Sequence, residues 1–186
     1  MSTVFSARLR LVPVGRDGAN DLWLVHQDDD IAEWYAGRWS RTEAADKAAT
    51  MEREWRTAGV HKWLAYRRDD GQLVGRGGLS YAQLDGRRRL ELGWAIRAPY
   101  QGQGYATEIG RAGLAYAFDE LAAPEVLAFT ERHNTRSRAV MRRLGMAYTG
   151  EIELPGLLPG RTGVHADAPF ALYRARRPEP PVVPMV

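Results

Sequence analysis

Small residues at alternate positions mark the loop RAPYQGQGYATE, from Arg97 to Glu108. Gly102, Gly104 and Ala106 lie between an alternating apolar run and an alanine-rich segment with the pattern of a helix. Glycine tolerates a positive φ and lets a ligand approach the backbone closely. Because a helix N-terminus offers free N–H groups and about half a positive charge, the loop is predicted to hold a phosphate. A plain turn, whose glycines solve only local geometry, is the alternative.

Two common phosphate-binding motifs do not fit this loop. The P-loop motif ends in Gly-Lys-Ser/Thr, whereas the corresponding stretch here is Gly104-Tyr-Ala-Thr107 and has no lysine. The dinucleotide fingerprint needs glycine or alanine at the position of Thr107 and an acidic residue about 20 residues further on. Glu131 comes too late in the sequence for that role. A different kind of phosphate site is therefore needed.

The composition argues against metal-dependent and covalent chemistry. The chain has 186 residues, no cysteine and 4 histidines, and the spacings H-x-x-x-H and H-E-x-x-H do not occur. The G-x-S-x-G motif of serine hydrolases does not occur either. We therefore expect no metal site, no disulfide and no acyl-cysteine intermediate.

The elements that must position the loop alternate between strands and helices. Hydrophobic periodicity and turn signals predict strands at Phe5–Val12, Trp63–Tyr66, Gln72–Gly75, Leu90–Ile96, Val126–Thr130, Met146–Glu151 and Phe170–Tyr173. Helices are predicted at Ala19–Val25, Thr42–Ala58, Tyr105–Leu121 and Ser137–Leu144. Thr42 is the predicted cap of the second helix, and Gly59 and Gly145 are predicted helix ends. This order predicts an α+β protein with a mixed sheet.

Length and composition set the broad class of protein. With 45% hydrophobic and 26% charged residues, the chain is typical of a globular domain with one core. We predict one domain over residues 1–176 and a proline-rich tail over residues 177–186. The sequence has neither a signal-peptide pattern nor 18 consecutive apolar residues, so no membrane association is expected, and the missing cysteines favour a cytoplasmic location.

A six-residue motif in the loop points to a known family. Gln101-Gly-Gln-Gly104-Tyr-Ala106 matches the signature Q/R-x-x-G-x-G/A, and in this the chain resembles the GNAT N-acetyltransferase superfamily. Leu90–Ile96 resembles the fourth strand of that family. Asn134-Thr-Arg-Ser137, followed by Met141–Met146, resembles the second half of its cofactor site. Two motifs in the right order are a much stronger signal than one.

The resemblance extends over about residues 63–151 and implies a particular architecture. It implies the GNAT fold, with a central mixed, mostly antiparallel sheet of about seven strands flanked by helices. The sheet would splay between its fourth and fifth strands, here Leu92–Ile96 and Val126–Thr130. The opening Ala7-Arg-Leu-Arg-Leu11 resembles the branch that acetylates ribosomal-protein N-termini.

The resemblance also implies acetyl-coenzyme A as co-substrate. Its pantetheine arm would pair with the backbone of Trp94, Ala95 and Ile96 as an added strand, and an N–H near Ile96 would bind the thioester oxygen. The side-chain amide of Asn134 would hold the same arm, although a plain helix cap is the alternative for this residue. The pyrophosphate would lie on Gln101, Gly102, Gln103, Gly104, Tyr105, Ala106 and Thr107.

Two proton transfers need catalytic groups. Many members of the superfamily protonate the leaving thiolate with a tyrosine, but the corresponding residue here is Met141. The resemblance to the ribosomal-protein branch suggests that Ser137 donates this proton instead. The alternative is that Ser137 only caps the helix. Glu91, on the strand face opposite Leu90 and Leu92, is the first candidate for the base that takes the amine proton. Glu153, in a predicted loop after Tyr148, is the second.

The acceptor is predicted to be a primary amine, either a small molecule or a protein N-terminus. Trp34, Tyr35 and Trp39 lie in the variable N-terminal half and are predicted to line the acceptor pocket, although core packing would explain them equally. Two other classes of function remain as alternatives. The missing tyrosine would suit an acetyl-coenzyme A sensor without transfer activity. The net charge of +3 and the arginines between Arg136 and Arg143 would suit nucleic acid, but the excess is small, so none is expected. A homodimer is left open.

Overall fold

Eight strands form one sheet in the computed structural model of the protein, which describes residues 2–178. Along the sheet the order is β1-β2-β3-β4-β5-β6-β8-β7. Every neighbouring pair is antiparallel except β5 and β6, which are parallel. The strands are β1 Val4–Phe5, β2 Leu9–Pro13, β3 Lys62–Arg67, β4 Leu73–Leu84, β5 Arg87–Ile96, β6 Glu125–Glu131, β7 Ala147–Gly156 and β8 His165–Arg176.

Five α-helices cover the two faces of the sheet, which confirms the predicted mixed fold. They are α1 Ala19–Val25, α2 Asp29–Ala32, α3 Arg41–Ala58, α4 Tyr105–Ala115 and α5 Thr135–Arg143. On one face Leu92 packs with Met141 of α5, while on the other Leu64 packs with Leu22 of α1 and Met51 of α3. Residues 2–178 contain no helix that is both long and apolar enough to cross a bilayer.

Local signals explain most helix boundaries, with one correction. Helix α3 begins one residue earlier than predicted because Ser40, and not Thr42, is its N-cap. The Ser40 hydroxyl accepts a hydrogen bond from the N–H of Glu43, and the Glu43 carboxylate accepts one from the N–H of Ser40, which makes a capping box. The helix ends at Gly59 with φ +71°, as its glycine predicts.

Several predicted elements differ in extent from those observed, and β4 in particular continues to Leu84, well past the predicted end at Gly75. The predicted strand Phe5–Val12 is two strands, β1 and β2, which pair with each other. The predicted helix Tyr105–Leu121 is α-helical to Ala115 and continues as a π-helical turn over Tyr116–Glu120. Strand β7 runs on to Gly156, so Glu153 lies in a strand and not in a loop. The predicted tail lies outside the described residues from residue 179 onward.

Strands β5 and β6 separate after a single contact. Only Glu91 and Leu127 are paired between them, although both strands continue. Beyond Glu91, the last residues of β5 therefore face a gap on the side where β6 would pair with them in a continuous sheet. This gap agrees with the splay that the sequence predicted, and the loop and α4 follow directly from its end.

Candidate active site

The loop after β5 exposes backbone N–H groups at the start of α4. Gly102 and Gly104 have φ +73° and +84°, conformations that L side chains rarely adopt. Gly104 is the N-cap of α4 and has no side chain to cap the helix. Because the first N–H groups of a helix have no intrahelical acceptor, those of Tyr105, Ala106 and Thr107 remain for a ligand. This is the geometry of an anion site.

Side chains from distant segments hold the loop in place. The Gln101 side chain donates to Ile96 O at 3.1 Å and accepts from Arg136 at 3.0 Å. Arg8 donates to Gln103 O at 3.0 Å, and its guanidinium lies 4.4 Å from the centre of the Tyr105 ring. The side chains of Tyr105 and Thr107 are buried. These two residues can therefore contribute only backbone groups to a ligand.

The backbone at the end of β5 presents two residues to the gap. Arg97 N–H donates to Val74 O of β4 at 3.0 Å. Because backbone groups alternate in direction along an antiparallel strand, those of Ala95 also face β4, whereas those of Trp94 and Ile96 face the gap. The Gln101 contact to Ile96 O agrees with this direction. Trp94 and Ile96 are therefore the residues that can bind an extended ligand as an added strand.

Helix α5 begins on the far side of the gap. Asn134 caps it, since its Oδ1 accepts from Ser137 N at 3.0 Å. The cap uses only the oxygen of the side chain, so the Asn134 amide nitrogen can still donate to a ligand. Ser137 is half-buried in the first turn. Met141 is only 2% exposed and packs in the core, so it is a packing residue.

A cavity of about 530 Å³ lies on the α1/α3 face of the sheet, beside the end of β5. It reaches Gly93 and Trp94, so it approaches the gap at the position where the added strand would lie. Tyr35 and Trp39 line it, together with Lys62, Arg76 and Glu91. The structure thus brings two of the three predicted acceptor residues and the first candidate base to one cavity.

Glu91 is bound at one oxygen and free at the other. Its Oε2 accepts from Lys62 Nζ at 2.8 Å and from Ser80 Oγ at 2.9 Å. Its Oε1 lies over Gly93, where an added Cβ would come within 2.7 Å of this oxygen and 3.3 Å of Lys62 Nζ. Among residues 2–178, no hydrogen bond is made to Oε1. The carboxylate therefore has one oxygen that can accept a proton on the cavity side.

Two predicted site residues lie elsewhere. Glu153 is exposed on β7 and pairs with Pro169 of β8, so β8 and β6 separate it from β5. Trp34 does not line the cavity, but its ring lies 5.2 Å from that of His133, next to Asn134. Asp30, from the same segment, lies 3.6 Å from Arg136. The segment around α2 thus reaches toward the start of α5 at the open end of the gap.

Buried charge in the cavity was missed by the sequence analysis. Lys62 of β3 and Arg76 of β4 are only 6% and 5% exposed. Burial lowers the pKa of Lys62, and the adjacent Glu91 carboxylate opposes this effect. Burial and the neighbouring cations Arg76 and Lys47 lower the pKa of His26 to about 2, so this histidine is neutral. Arg76 is the one charged residue of β4, and this was the signal that could have revealed it, whereas Lys62 begins β3, which also ends in Arg67, and gave no such signal.

A second, larger groove of about 870 Å³ flanks the loop on its other side. It runs along α4 between Gly104 and Glu120 and includes Arg111 and Arg143. It contains no residue from the end of β5, so it does not reach the reacting position. Of the predicted arginine cluster, only Arg143 lines it.

Comparison with known proteins identifies the family. A model of the acetyltransferase (GNAT) domain matches residues 8–147. The FsC-acetyl coenzyme A-N(2)-transacetylase of Aspergillus fumigatus is 30% identical over 155 residues, which cover 78% of this chain and 65% of the fungal protein. This chain therefore spans about two thirds of the length of that relative.

Solved structures share the fold at low sequence identity. The ribosomal-protein-S5-alanine acetyltransferase from Vibrio fischeri superposes with a TM-score of 0.75 at 13% identity, covering 95% of this chain and 97% of that one. RimL, a ribosomal L7/L12 alpha-N-protein acetyltransferase in complex with coenzyme A, gives 0.73 at 15% identity, with 95% and 98% covered. The family match confirms the predicted class of enzyme, an N-acetyltransferase. The chain belongs to the GNAT acetyltransferase family.

Proposed function

We propose that the protein transfers the acetyl group of acetyl-coenzyme A directly to a primary amine within a ternary complex. The observation that carries the proposal is the position of Glu91: its free oxygen faces a cavity that reaches Trp94 at the β5–β6 gap. The same cavity thus contains a candidate base and room for an amine, and it borders the gap in which a thioester would lie as an added strand. Relatives named as acetyl-coenzyme A transacetylase and as a complex with coenzyme A support this co-substrate.

The proposed binding uses the loop and the two strand ends. The N–H groups at the start of α4 hold the pyrophosphate, as the free helix terminus allows. Trp94 and Ile96 hold the pantetheine arm from β5, and the Asn134 amide nitrogen holds it from the other side of the gap. In this binding mode the N–H and C=O groups of Ala95 do not bind the pantetheine arm, because they face β4.

The proposed chemistry is a single displacement. The amine nitrogen bonds to the thioester carbonyl carbon, and the bond from that carbon to sulfur breaks. Glu91 Oε1 accepts the proton that the amine loses, directly or through one water molecule. The Ile96 N–H stabilises the negative charge that develops on the carbonyl oxygen. The Ser137 hydroxyl donates a proton to the departing thiolate and regains one from solvent.

The acceptor could belong to either of two groups. RimL and the Vibrio fischeri protein are named for ribosomal proteins, whereas the name of the fungal enzyme gives FsC and an N(2) position and no ribosomal protein. A protein N-terminus and a small amine therefore both stay candidates at this stage. A cytoplasmic location, a homodimer and a single domain over residues 1–176 also stay predictions.

Initial-rate kinetics test direct transfer. We expect release of coenzyme A thiol with an amine acceptor and intersecting double-reciprocal lines, since both substrates must be bound together. Incubation with acetyl-coenzyme A alone should leave the mass of the protein unchanged. Parallel lines, or a protein heavier by one acetyl group, would contradict direct transfer. Tight binding of acetyl-coenzyme A without thiol release from any amine would favour the sensor alternative.

A further inference from the structure

Arg76 is a buried cation that lines the cavity. It lies on β4, is 5% exposed and lines the same cavity as Glu91. Within residues 2–178 no carboxylate oxygen lies within 4.0 Å of its guanidinium. Lys62 in the same cavity, by contrast, forms an ion pair with Glu91. Burying an unpaired charge is costly, and such charges are normally paired or reserved for a ligand. Arg76 therefore has the character of an anion site.

Three side chains hold the Arg76 guanidinium in one orientation. Its Nε donates to His26 Nε2 at 3.0 Å. Its guanidinium carbon lies 5.0 Å from the centre of the Tyr35 ring and 5.9 Å from that of Trp39. His26 is in turn stacked on Trp39, with 3.3 Å between ring centres. Because the Nε–H is used by His26, the two terminal nitrogens of the guanidinium remain for a ligand.

The chemistry of this group selects a carboxylate. Two parallel N–H donors match the two oxygens of a carboxylate, which an arginine binds in a bidentate manner. The other cation in the interior of the cavity, Lys62, is already neutralised by Glu91 at 2.8 Å. A ligand with one negative charge would therefore bring the buried charges of the cavity to balance.

The position of Arg76 relates the carboxylate to the reacting amine. Arg76 pairs with Ala95 of β5, and Ser80, four residues further along β4, pairs with Glu91. Four residues of a strand span roughly 13 Å between Cα atoms, and both side chains extend toward the cavity between them. Because Gly93, which lies between Ala95 and Glu91, has no side chain, Glu91 Oε1 lies over it and so on the Arg76 side of Glu91. One small molecule can therefore contact Arg76 with its carboxylate and Glu91 with its amine.

We propose that Arg76 binds the carboxylate of the acceptor, so that the acceptors are free amino acids or small amines that carry a carboxylate. This deepens the proposed function, on which it rests, because it selects the small-molecule group over protein N-termini. A protein N-terminus has an amide where a free amino acid has its carboxylate. His26 is a positioning residue in this proposal, since it acts only through Arg76.

Matched acceptors test the proposal on the wild-type protein. Thiol release is measured with glycine, alanine, methionine, phenylalanine and glutamate, each beside its amide and its decarboxylated amine. We expect kcat/KM to be at least about 30-fold higher for the acids than for the amides, as for a buried charge pair that loses one partner. Equal or higher kcat/KM for the amides across the panel would overturn it. A phosphorylated amine, phosphoethanolamine, should be a poorer acceptor than the amino acids; if it is better, the anion is a phosphate and the proposal falls.

The variant Arg76→Gln separates recognition from folding. We expect the KM of the best amino acid to rise at least about 30-fold, while the amide is used as poorly as by the wild type. The control Arg53→Gln removes an exposed arginine of α3 outside the cavity and should change neither value. Coenzyme A binding, measured by calorimetry, checks that Arg76→Gln is folded. If Arg76→Gln does not bind coenzyme A, Arg76→Lys is tested instead. It keeps the positive charge but loses the two parallel N–H donors of the guanidinium, so we expect its KM for the amino acid to lie above that of the wild type and below a 30-fold increase.

Binding distinguishes this proposal from the proposed function. The same amino acids are titrated into the wild type and into Arg76→Gln, both saturated with coenzyme A. Binding that depends on Arg76 without any acetyl transfer would support the anion site and refute the transferase. Acetyl transfer to acids and amides alike, unaffected by Arg76→Gln, would support the transferase and refute the anion site.

Discussion

Buried Lys62 of β3 and half-buried Glu91 of β5 form an ion pair across the intervening strand β4, with 2.8 Å between Lys62 Nζ and Glu91 Oε2. The pair forms because β3, β4 and β5 align Lys62, Gly78 and Gly93 in register, and neither glycine has a side chain between them. Lys62 also donates to Gly78 O at 2.9 Å. The ion pair fixes the orientation of the Glu91 carboxylate, and no group in the described part of the chain donates a hydrogen bond to Oε1. In the proposed mechanism the same contact orients the base.

Removing the carboxylate of Glu91 should abolish most of the activity. Glu91→Gln alone leaves Lys62 buried without its partner, which we expect to cost about 3–5 kcal/mol in the free energy of unfolding. The double variant Lys62→Met with Glu91→Gln removes both charges and should fold. If Glu91 is the base, kcat of the double variant falls by about 100-fold or more, while acetyl-coenzyme A binding is kept.

Glu153→Gln is the matched control for this experiment. It makes the same chemical change on an exposed strand, three strands away from β5 in the order of the sheet. We expect its kcat to equal that of the wild type. A loss below about threefold in the double variant, together with a large loss in Glu153→Gln, would move the role of base to Glu153. If kcat falls by less than about threefold in both variants, neither carboxylate is needed as a base, and the amine binds in its neutral form.

Substitution of Gly104 should weaken the binding of acetyl-coenzyme A. In Gly104→Val a branched side chain must adopt φ +84° and stands where a pyrophosphate would meet the N–H groups of α4. We expect Kd to rise by roughly ten- to a thousandfold, which corresponds to about 1.4–4 kcal/mol. The measurement is calorimetric titration of the folded variant.

Gly71→Val controls for backbone strain in that experiment. Gly71 also has a positive φ, +72°, and lies in the turn between β3 and β4, with no atom within 4 Å of an added Cβ. Its variant should lose stability without any change in Kd. If Gly104→Val binds acetyl-coenzyme A as tightly as the wild type, the loop does not hold the pyrophosphate.

Local patterns predicted the elements well but not the contacts between them. Helix α1 has the predicted bounds because its apolar spacing is enough to define it, and Gly59 ends α3 because only glycine suits that backbone. The Lys62–Glu91 pair depends on strand register, and the Arg76–His26 contact joins residues 50 positions apart. Neither follows from local spacing. The positive φ of Gly102 and Gly104 was predictable because it depends on consecutive residues of one loop.

Two substitutions at Asn134 should separate its two roles. Asn134→Asp keeps an oxygen that can cap α5 through Ser137 N, but it lacks the amide nitrogen that would donate to the pantetheine arm. Asn134→Ala loses both. We expect the KM for acetyl-coenzyme A to rise in both variants, whereas the free energy of unfolding should fall by about 1 kcal/mol only in Asn134→Ala. An unchanged KM in both, with that loss of stability in Asn134→Ala, would make Asn134 a cap alone.

Ser137→Ala should change kcat, in contrast to the Asn134 variants, which should change the KM for acetyl-coenzyme A. Its hydroxyl makes no hydrogen bond with another residue in the described part of the chain, and the Asn134 cap uses only its backbone N–H. The variant should therefore fold normally and keep its KM for acetyl-coenzyme A, while kcat falls because the thiolate loses its proton donor. A kcat equal to that of the wild type would mean that water protonates the thiolate.

The stability of the protein should depend on pH through His26. Burial, with Arg76 and Lys47 nearby, lowers the pKa of His26 to about 2 in the folded state, from 6.5 in the unfolded chain. Below pH 6.5 the unfolded chain binds a proton that the folded chain does not, so stability falls as the pH falls from 6.5 toward 2. At pH 5 this loss amounts to about 2 kcal/mol.

Urea unfolding at pH 7 and pH 5 measures that contribution. Gln at position 26 offers Arg76 Nε an acceptor oxygen but does not titrate, so His26→Gln should lose about 2 kcal/mol less than the wild type between the two pH values. His133→Gln, which replaces an exposed histidine, should lose as much as the wild type. If His26→Gln and the wild type lose the same amount, His26 is protonated at pH 5 in the folded state. Its Nε2 could then no longer accept the hydrogen bond that orients Arg76.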